Sequence, residues 1–229
     1  MKTYDKLFIG AHLDDIEIGC GAYISALKHP ERSLVIPISF GHPLHKKEIN
    51  IKRKEIFEKN MKDLGTLFIS DENKNYLDTK FFENQGIIKK KLLVLLEIAK
   101  EYKIKEIYFH SEDNHQDHEI VNRLVKEIFR PFVYPELEAL IEYEIPGSNL
   151  YGKPGDNFNT FFFFDEEVLE KKRKLIKNYE GICTFETGDA RDYNYPISAN
   201  KKEGFKWGQK TGNDIKACER YNVIWRKLS

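Results

Sequence analysis

The chain has 229 residues, with Lys plus Arg and Asp plus Glu at 37 each and a formal net charge of zero. That balance offers no electrostatic case for a nucleic acid or an acidic membrane surface as partner. Three widely separated cysteines, Cys20, Cys183 and Cys218, include no CxxC pair and argue against a disulfide framework. No apolar run approaches the ~20 residues of a membrane span and the N-terminus has no signal-peptide core, so the expectation is a cytoplasmic protein.

The first apolar run, Leu7 to Gly10, reads as a strand. After the polar turn Ala11-His12-Leu13-Asp14-Asp15, a helical pattern (Ile16, Ile18, Tyr23, Ile24, Leu27) continues to about Lys28. Gly19 and Gly21 lower helix propensity there and point to close packing, and Cys20, inside the pattern, reads as a buried thiol. Leu34 to Ser39 is a second strand, and Lys47 to Leu64 a helix with Ile51, Ile56, Phe57, Met61 and Leu64 on one face, closed by Gly65 as C-cap. Thr66 to Ser70 and Lys105 to His110 are the third and fourth strands, Gly86 to Tyr102 and Gln116 to Phe129 the third and fourth helices.

Past Pro131 the alternation loosens. Ala139 to Glu144 and Asn159 to Asp165 read as strands around a Gly/Pro/Asn loop from Ile145 to Phe158, and Glu166 to Tyr179 as a basic helix with a solvated face. Thr184 to Gly212 has weak periodicity and reads as a loop that closes over a site, and Ile215 to Trp225 as a last helix. With no repeat, low-complexity tract or linker, residues 1–229 form one expected domain. Its class is α/β: a Rossmann-like, doubly wound, mostly parallel sheet with helices on both faces and a loop-rich C-terminal elaboration. In such sheets the first and fourth strands are neighbours, and the crevice at their C-terminal ends receives the ligand.

Both of those strand ends carry chemistry. His12, Asp14 and Asp15 follow the first strand; His110-Ser111-Glu112-Asp113-Asn114-His115-Gln116-Asp117-His118 follows the fourth and holds three of the chain's seven histidines. His12, Asp15 and His118 supply two imidazoles and a carboxylate, the set suited to one Zn²⁺, or another divalent ion, with a position left open for water. Asp14, at the same turn, is the expected general base, and His115 the group that donates to a developing oxyanion or leaving amine, oriented by Asp117 or Asp113. A non-catalytic Rossmann-like module binding a sugar or nucleotide is the alternative. It is disfavoured because the first strand leads into AHLDDIEIGCG and not into a GxGxxG, and because acidic side chains there repel a pyrophosphate.

AHLDDIEIGCGA resembles the AHPDDxxxGxGG signature, and DNHQDH the HxDH signature, of the LmbE-like or PIG-L-like zinc-dependent N-deacetylases. The likeness extends through Arg53, Arg130-Pro131-Phe132, Tyr143-Glu144, Trp207-Gly208-Gln209 and Ala217-Cys218-Glu219-Arg220-Tyr221. It implies zinc at His12, Asp15 and His118, Asp14 as base, His115 stabilising the tetrahedral intermediate, and Arg53 binding substrate. It also implies removal of acetate from an N-acetylated amino sugar or its conjugate, N-acetylglucosamine being the type case, by an assembly of threes (trimer or hexamer). Leu13 replaces the usual Pro, Ile56 a common Glu, and Trp207 the Arg of an RG pair. Arg130, the Tyr193 to Trp207 stretch, His42 and His45 are further candidates for the substrate pocket.

Overall fold

The computed structural model describes residues 4–69, 77–146, 158–182, 194–212 and 215–227. Strands β1 (Lys6–Gly10), β2 (Ser33–Pro37), β3 (Leu67–Phe68), β4 (Glu106–His110), β5 (Ala139–Tyr143), β6 (Thr160–Phe164) and β7 (Ala217–Arg226) form one sheet in the order β3-β2-β1-β4-β5-β7-β6. The first five are mutually parallel, and β7 runs antiparallel between β5 and β6. The sheet is therefore mostly parallel, and its order reverses between β1 and β4 as expected for a doubly wound fold.

Among the described residues six α-helices follow in chain order: α1 (Asp15–Ser25), α2 (Lys47–Leu64), α3 (Gln85–Tyr102), α4 (Gln116–Ile128), α5 (Glu166–Lys177) and α6 (Asn194–Thr211). They cover both faces, which is why the central strands are apolar on both sides. Leu7, Ile9, Leu34, Ile36, Ile107 and Phe109 pack against α3 and α4. The alternate residues Phe8, Val35, Tyr108 and Ile141 pack with α1, α2 and α5 on the other face. α2 has the bounds its periodicity predicts, and Gly65 ends it at φ 73°. Gly19 shows the close approach expected of it: a Cβ there would stand 2.3 Å from Cδ2 of Tyr143, whose hydroxyl donates to the Ile9 carbonyl at 2.9 Å.

Two expectations for the C-terminal part are corrected. Residues 194–211 of the expected loop are helix α6, whose buried face is Pro196, Ile197, Asn200 and Gly204. The spacing is helical, but the face is small and polar because it lies directly on β7, where a Cβ on Gly204 would meet the Ala217 backbone at 2.5 Å. The expected last helix is instead β7. Its Glu219 is buried, accepting from Lys172 Nζ at 2.7 Å, from the Ala22 and Tyr23 amides at 2.9 Å each and from the Tyr221 hydroxyl at 2.8 Å. A charged residue that reads as one side of a helix is thus an interior acceptor, and no period-2 polar pattern survives. Cys183, Tyr193 and most of the loop expected from Ile145 to Phe158 lie outside the described residues.

Candidate metal centre

The turn after β1 and the segment after β4 meet at the C-terminal edge of the sheet, because β1 and β4 are paired from Lys6↔Glu106 to Ile9↔Phe109. Asp15 opens α1 and His118 lies in the first turn of α4. Donor atoms of three residues face one another there, the two Asp15 oxygens each turned to one ring. His12 Nδ1 lies 3.3 Å from His118 Nε2 and 3.5 Å from Asp15 Oδ2, and His118 Nε2 lies 3.4 Å from Asp15 Oδ1. Donors on one tetrahedral ion with bonds of ~2.0–2.1 Å stand ~3.3–3.4 Å apart, so the spacing fits such an ion.

Each imidazole is oriented from behind. His118 Nδ1 meets Asp113 Oδ2 at 2.6 Å and His12 Nε2 meets Asp117 Oδ2 at 3.0 Å. A carboxylate that takes the remote N–H leaves the near nitrogen as a lone pair, the arrangement that serves metal-bound histidines. Asp117 is itself held by the amides of Thr79 at 2.6 Å and Phe81 at 3.3 Å. Asp15 accepts from the His12 amide at 2.8 Å, which closes the turn.

The electrostatics ask for a cation. Burial alone would lower both imidazoles, yet the carboxylates reverse it. Asp15 and Asp113 bring His118 up to about 9, and Asp15, Asp78 and Asp117 hold His12 well above its ordinary value. Burial would raise Asp15, but the His118 and His12 rings hold it well below the usual carboxylate range. The carboxylates thus favour positive charge at the two buried rings, carried by ring protons or by a metal ion in their place.

Asp14 occupies the N-cap position of α1, but its side chain makes no capping hydrogen bond. It turns toward Arg53, whose Nη2 lies 3.7 Å from Asp14 Oδ1 and whose Nη1 donates to Asp78 Oδ2 at 2.8 Å. Burial raises the Asp14 carboxyl against the opposing pull of Arg53. His115 caps α4, its Nδ1 accepting from the Asp117 amide at 3.3 Å, and its ring centroid lies 4.9 Å from that of His12 and 4.6 Å from that of His118. Nδ1 as acceptor puts the proton of the neutral ring on Nε2. Burial and the neighbouring His118 and His12 push this imidazole down to about 4. Among the described residues neither the Asp113 nor the Asp117 carboxylate is hydrogen-bonded to the His115 ring; Asp113 accepts from the His115 amide at 2.7 Å.

Arg130 is not brought to this centre. α4 starts at the site and runs 13 residues away from it, ~20 Å at 1.5 Å per residue, so Arg130, just past the opposite end, is exposed and stacks on Phe132 at 4.7 Å. His42 Nε2 lies 3.1 Å from Thr79 Oγ1, and the His45 ring is tilted against that of His42, centroids 4.7 Å apart.

Asp78, Thr79 and Phe81 escape a reading of the sequence, because a lone aspartate and two backbone amides in a loop carry no periodic signal. Thr79 is nevertheless marked in the structure by φ 66°, a conformation that costs a β-branched residue ~1–3 kcal/mol. It places its amide on Asp117.

A Rossmann-like α/β sheet with an Asp/His donor set at its topological switch point defines the class of protein. The family model described as PIG-L, GlcNAc-PI de-N-acetylase, matches residues 7–129, more than half of the chain and all of the residues just described from His12 to His118. The chain belongs to the PIG-L family.

No curated protein sequence matches it. Among solved structures, it is similar to the 4-carboxy-2-hydroxymuconate hydratase GalB of Pseudomonas putida KT2440 (TM-score 0.65, 15% identity, 99% of this chain and 98% of that one). It is similar also to the N,N'-diacetylchitobiose deacetylase of Pyrococcus horikoshii (0.65, 16%, 96% and 83%) and to Dbv21, the A40926 pseudoaglycone deacetylase (0.64, 14%, 100% and 100%). At these identities the likeness establishes the fold, and the fold serves a hydratase as well as deacetylases. Among the described residues no helix is long and apolar enough to cross a membrane.

Proposed function

We propose that the chain is a zinc-dependent N-deacetylase that removes the acetyl group from an N-acetylated amino sugar, such as N-acetylglucosamine, or from its conjugate. The observation that carries this reading is the donor triangle of His12, Asp15 and His118, with both remote ring nitrogens held by carboxylates. One divalent ion held there would polarise the acyl oxygen and make water nucleophilic near neutral pH.

Asp14 is free of capping duty and borders the donors through Asp15. It takes the proton from the attacking water and passes it to the amide nitrogen, which leaves as an amine because an amide anion is too basic to expel. The His115 Nε2–H donates to the acyl oxygen as it gains charge, and the N-termini of α1 and α4 favour the same negative charge. Arg53, fixed by Asp78 and facing Asp14, is the candidate for sugar hydroxyls or a phosphate of the conjugate.

Membership of the PIG-L family and the deacetylase activity named for two structural neighbours support amide hydrolysis. The one continuous sheet from Lys6 to Arg226 supports a single domain over residues 1–229. A cytoplasmic location and an assembly of threes belong to the same reading.

The experiment is amine release by the zinc-loaded protein from N-acetylated monosaccharides, disaccharides, sugar nucleotides and lipid-linked sugars. Release by the wild type and its loss in Asp14→Asn are expected. Tight sugar binding without release would favour a binding module. Hydration of an unsaturated acid by a protein that releases no amine would place the chain with the hydratase instead.

A further inference from the structure

His110 ends β4 with its side chain fully buried, and neither ring nitrogen has a hydrogen-bond partner among the described residues. Asn122 Nδ2 donates to the His110 carbonyl at 2.9 Å, which fixes the strand end but leaves the ring unserved. The ring lies over that of His118, centroids 4.4 Å apart at 31°, with Tyr143 edge-on at 6.1 Å.

A buried polar atom without a partner costs ~1–3 kcal/mol, and an imidazole has two such atoms to satisfy. A phenylalanine would fill the space without that cost. Orphaned polar groups in a close-packed interior therefore point to something that completes them, a water or an ion.

The surroundings select the ion. One ring nitrogen of His110, one of His118 and a carboxylate oxygen of Asp15 all lie within 4.8 Å of one another. His118 is thus common to two donor sets, this one and a second that gathers ring nitrogens of His12 and His115, and Asp15 links the two by facing His12 Nδ1 at 3.5 Å. Donors on one ion with ~2.1 Å bonds stand ~3–4 Å apart, which lies inside the 4.8 Å range.

We propose that His110 is a fourth protein donor to the ion held by His12, Asp15 and His118. The proposal rests on the metal reading of the site given above. With His110 as a donor, one position fewer at the ion would be left to water and substrate. His110 then sets how tightly the ion is held and how readily a coordination position opens.

The test uses the full chain loaded with Co²⁺ in place of zinc. It reads the number of imidazole donors by X-ray absorption, the visible bands, and the affinity by chelator competition. His110→Phe keeps a planar ring and removes both nitrogens. The variant is expected to lose one imidazole donor, to change its visible bands and to bind Co²⁺ ~100-fold or more weakly, beyond the ~10–100-fold typical of partners that act only through another ligand.

Unchanged bands with affinity altered less than that overturn the proposal and assign the orphan nitrogens to water, leaving the metal centre standing. A wild type that takes up no Co²⁺ overturns both. If His110→Phe does not fold, the donor count in His115→Ala decides, since His115 is the other nearby ring: three imidazoles support the proposal and two overturn it.

Discussion

His118 Nε2 and His12 Nδ1 face each other at 3.3 Å while Asp113 and Asp117 hold the opposite nitrogens of the two rings at 2.6 and 3.0 Å. Two lone pairs so placed repel unless a proton or a cation lies between them. The carboxylates behind the rings thus orient the donor set without belonging to it. Asp113→Asn keeps an acceptor oxygen for His118 but removes its charge, so zinc affinity should fall ~10–100-fold. Chelator competition reads this, and an affinity equal to that of the wild type would separate Asp113 from the centre.

Protons and metal compete for the same two rings. Against the effect of burial, the carboxylates of Asp15 and Asp113 bring His118 from 6.5 to about 9, and His12 is raised as well. Zinc binding near neutral pH should therefore release about one proton or more per ion, and affinity should rise with pH until about 9. For the metal-free protein the sign is opposite: the stability from these charged rings is complete below 6.5 and is lost as pH rises through about 9. Calorimetry in buffers of different protonation enthalpy measures the release. Binding without proton release would mean that the rings are already neutral.

The half of the fold that builds this centre is legible in the sequence because its periodicities are strong. Apolar strands alternate with helices such as Lys47–Leu64, and topology alone brings the His12 turn beside His118. β7 and α6 were not legible for a physical reason. Glu219 is buried against Lys172 and two amides, and the inner face of α6 contains Asn200 and Gly204, so polarity there does not mark the surface. In the site, residue types showed which side chains gather, whereas partners did not follow from spacing: Asp117 serves the His12 ring, and Asp78 is what fixes Arg53.

Glu17 gives a stability prediction independent of catalysis. It is fully buried, with Oε1 accepting from Asn60 Nδ2 at 3.0 Å and from the Tyr179 hydroxyl at 2.9 Å, while Oε2 has no partner among the described residues. Burial raises the carboxyl from 4.5 to about 8. The folded protein retains a proton that the unfolded chain releases, so this stability is complete below 4.5 and falls as pH rises toward about 8. Each unit of difference is worth about 1.4 kcal/mol. Glu17→Gln should match the wild type near about pH 5 and exceed its Tm above about pH 8. Parallel melting curves across that range would contradict the assignment.

Asp14 tests the proton path. Its side chain does not cap α1, so Asp14→Asn should melt near the wild-type temperature and keep its zinc. Loss of the proton acceptor should lower kcat by ~100-fold or more with little change in KM. Turnover near the wild-type rate would remove Asp14 from the mechanism and leave His115 as the remaining candidate.

Metal analysis of the purified full chain asks whether His12, Asp15 and His118 hold an ion. The wild type should contain or take up about one zinc per chain, and His118→Ala, folded by circular dichroism, should lose most of it because one of the three donor contacts is gone. Full occupancy in His118→Ala, or a folded wild type that takes up no divalent ion after equilibration with zinc, would contradict the account.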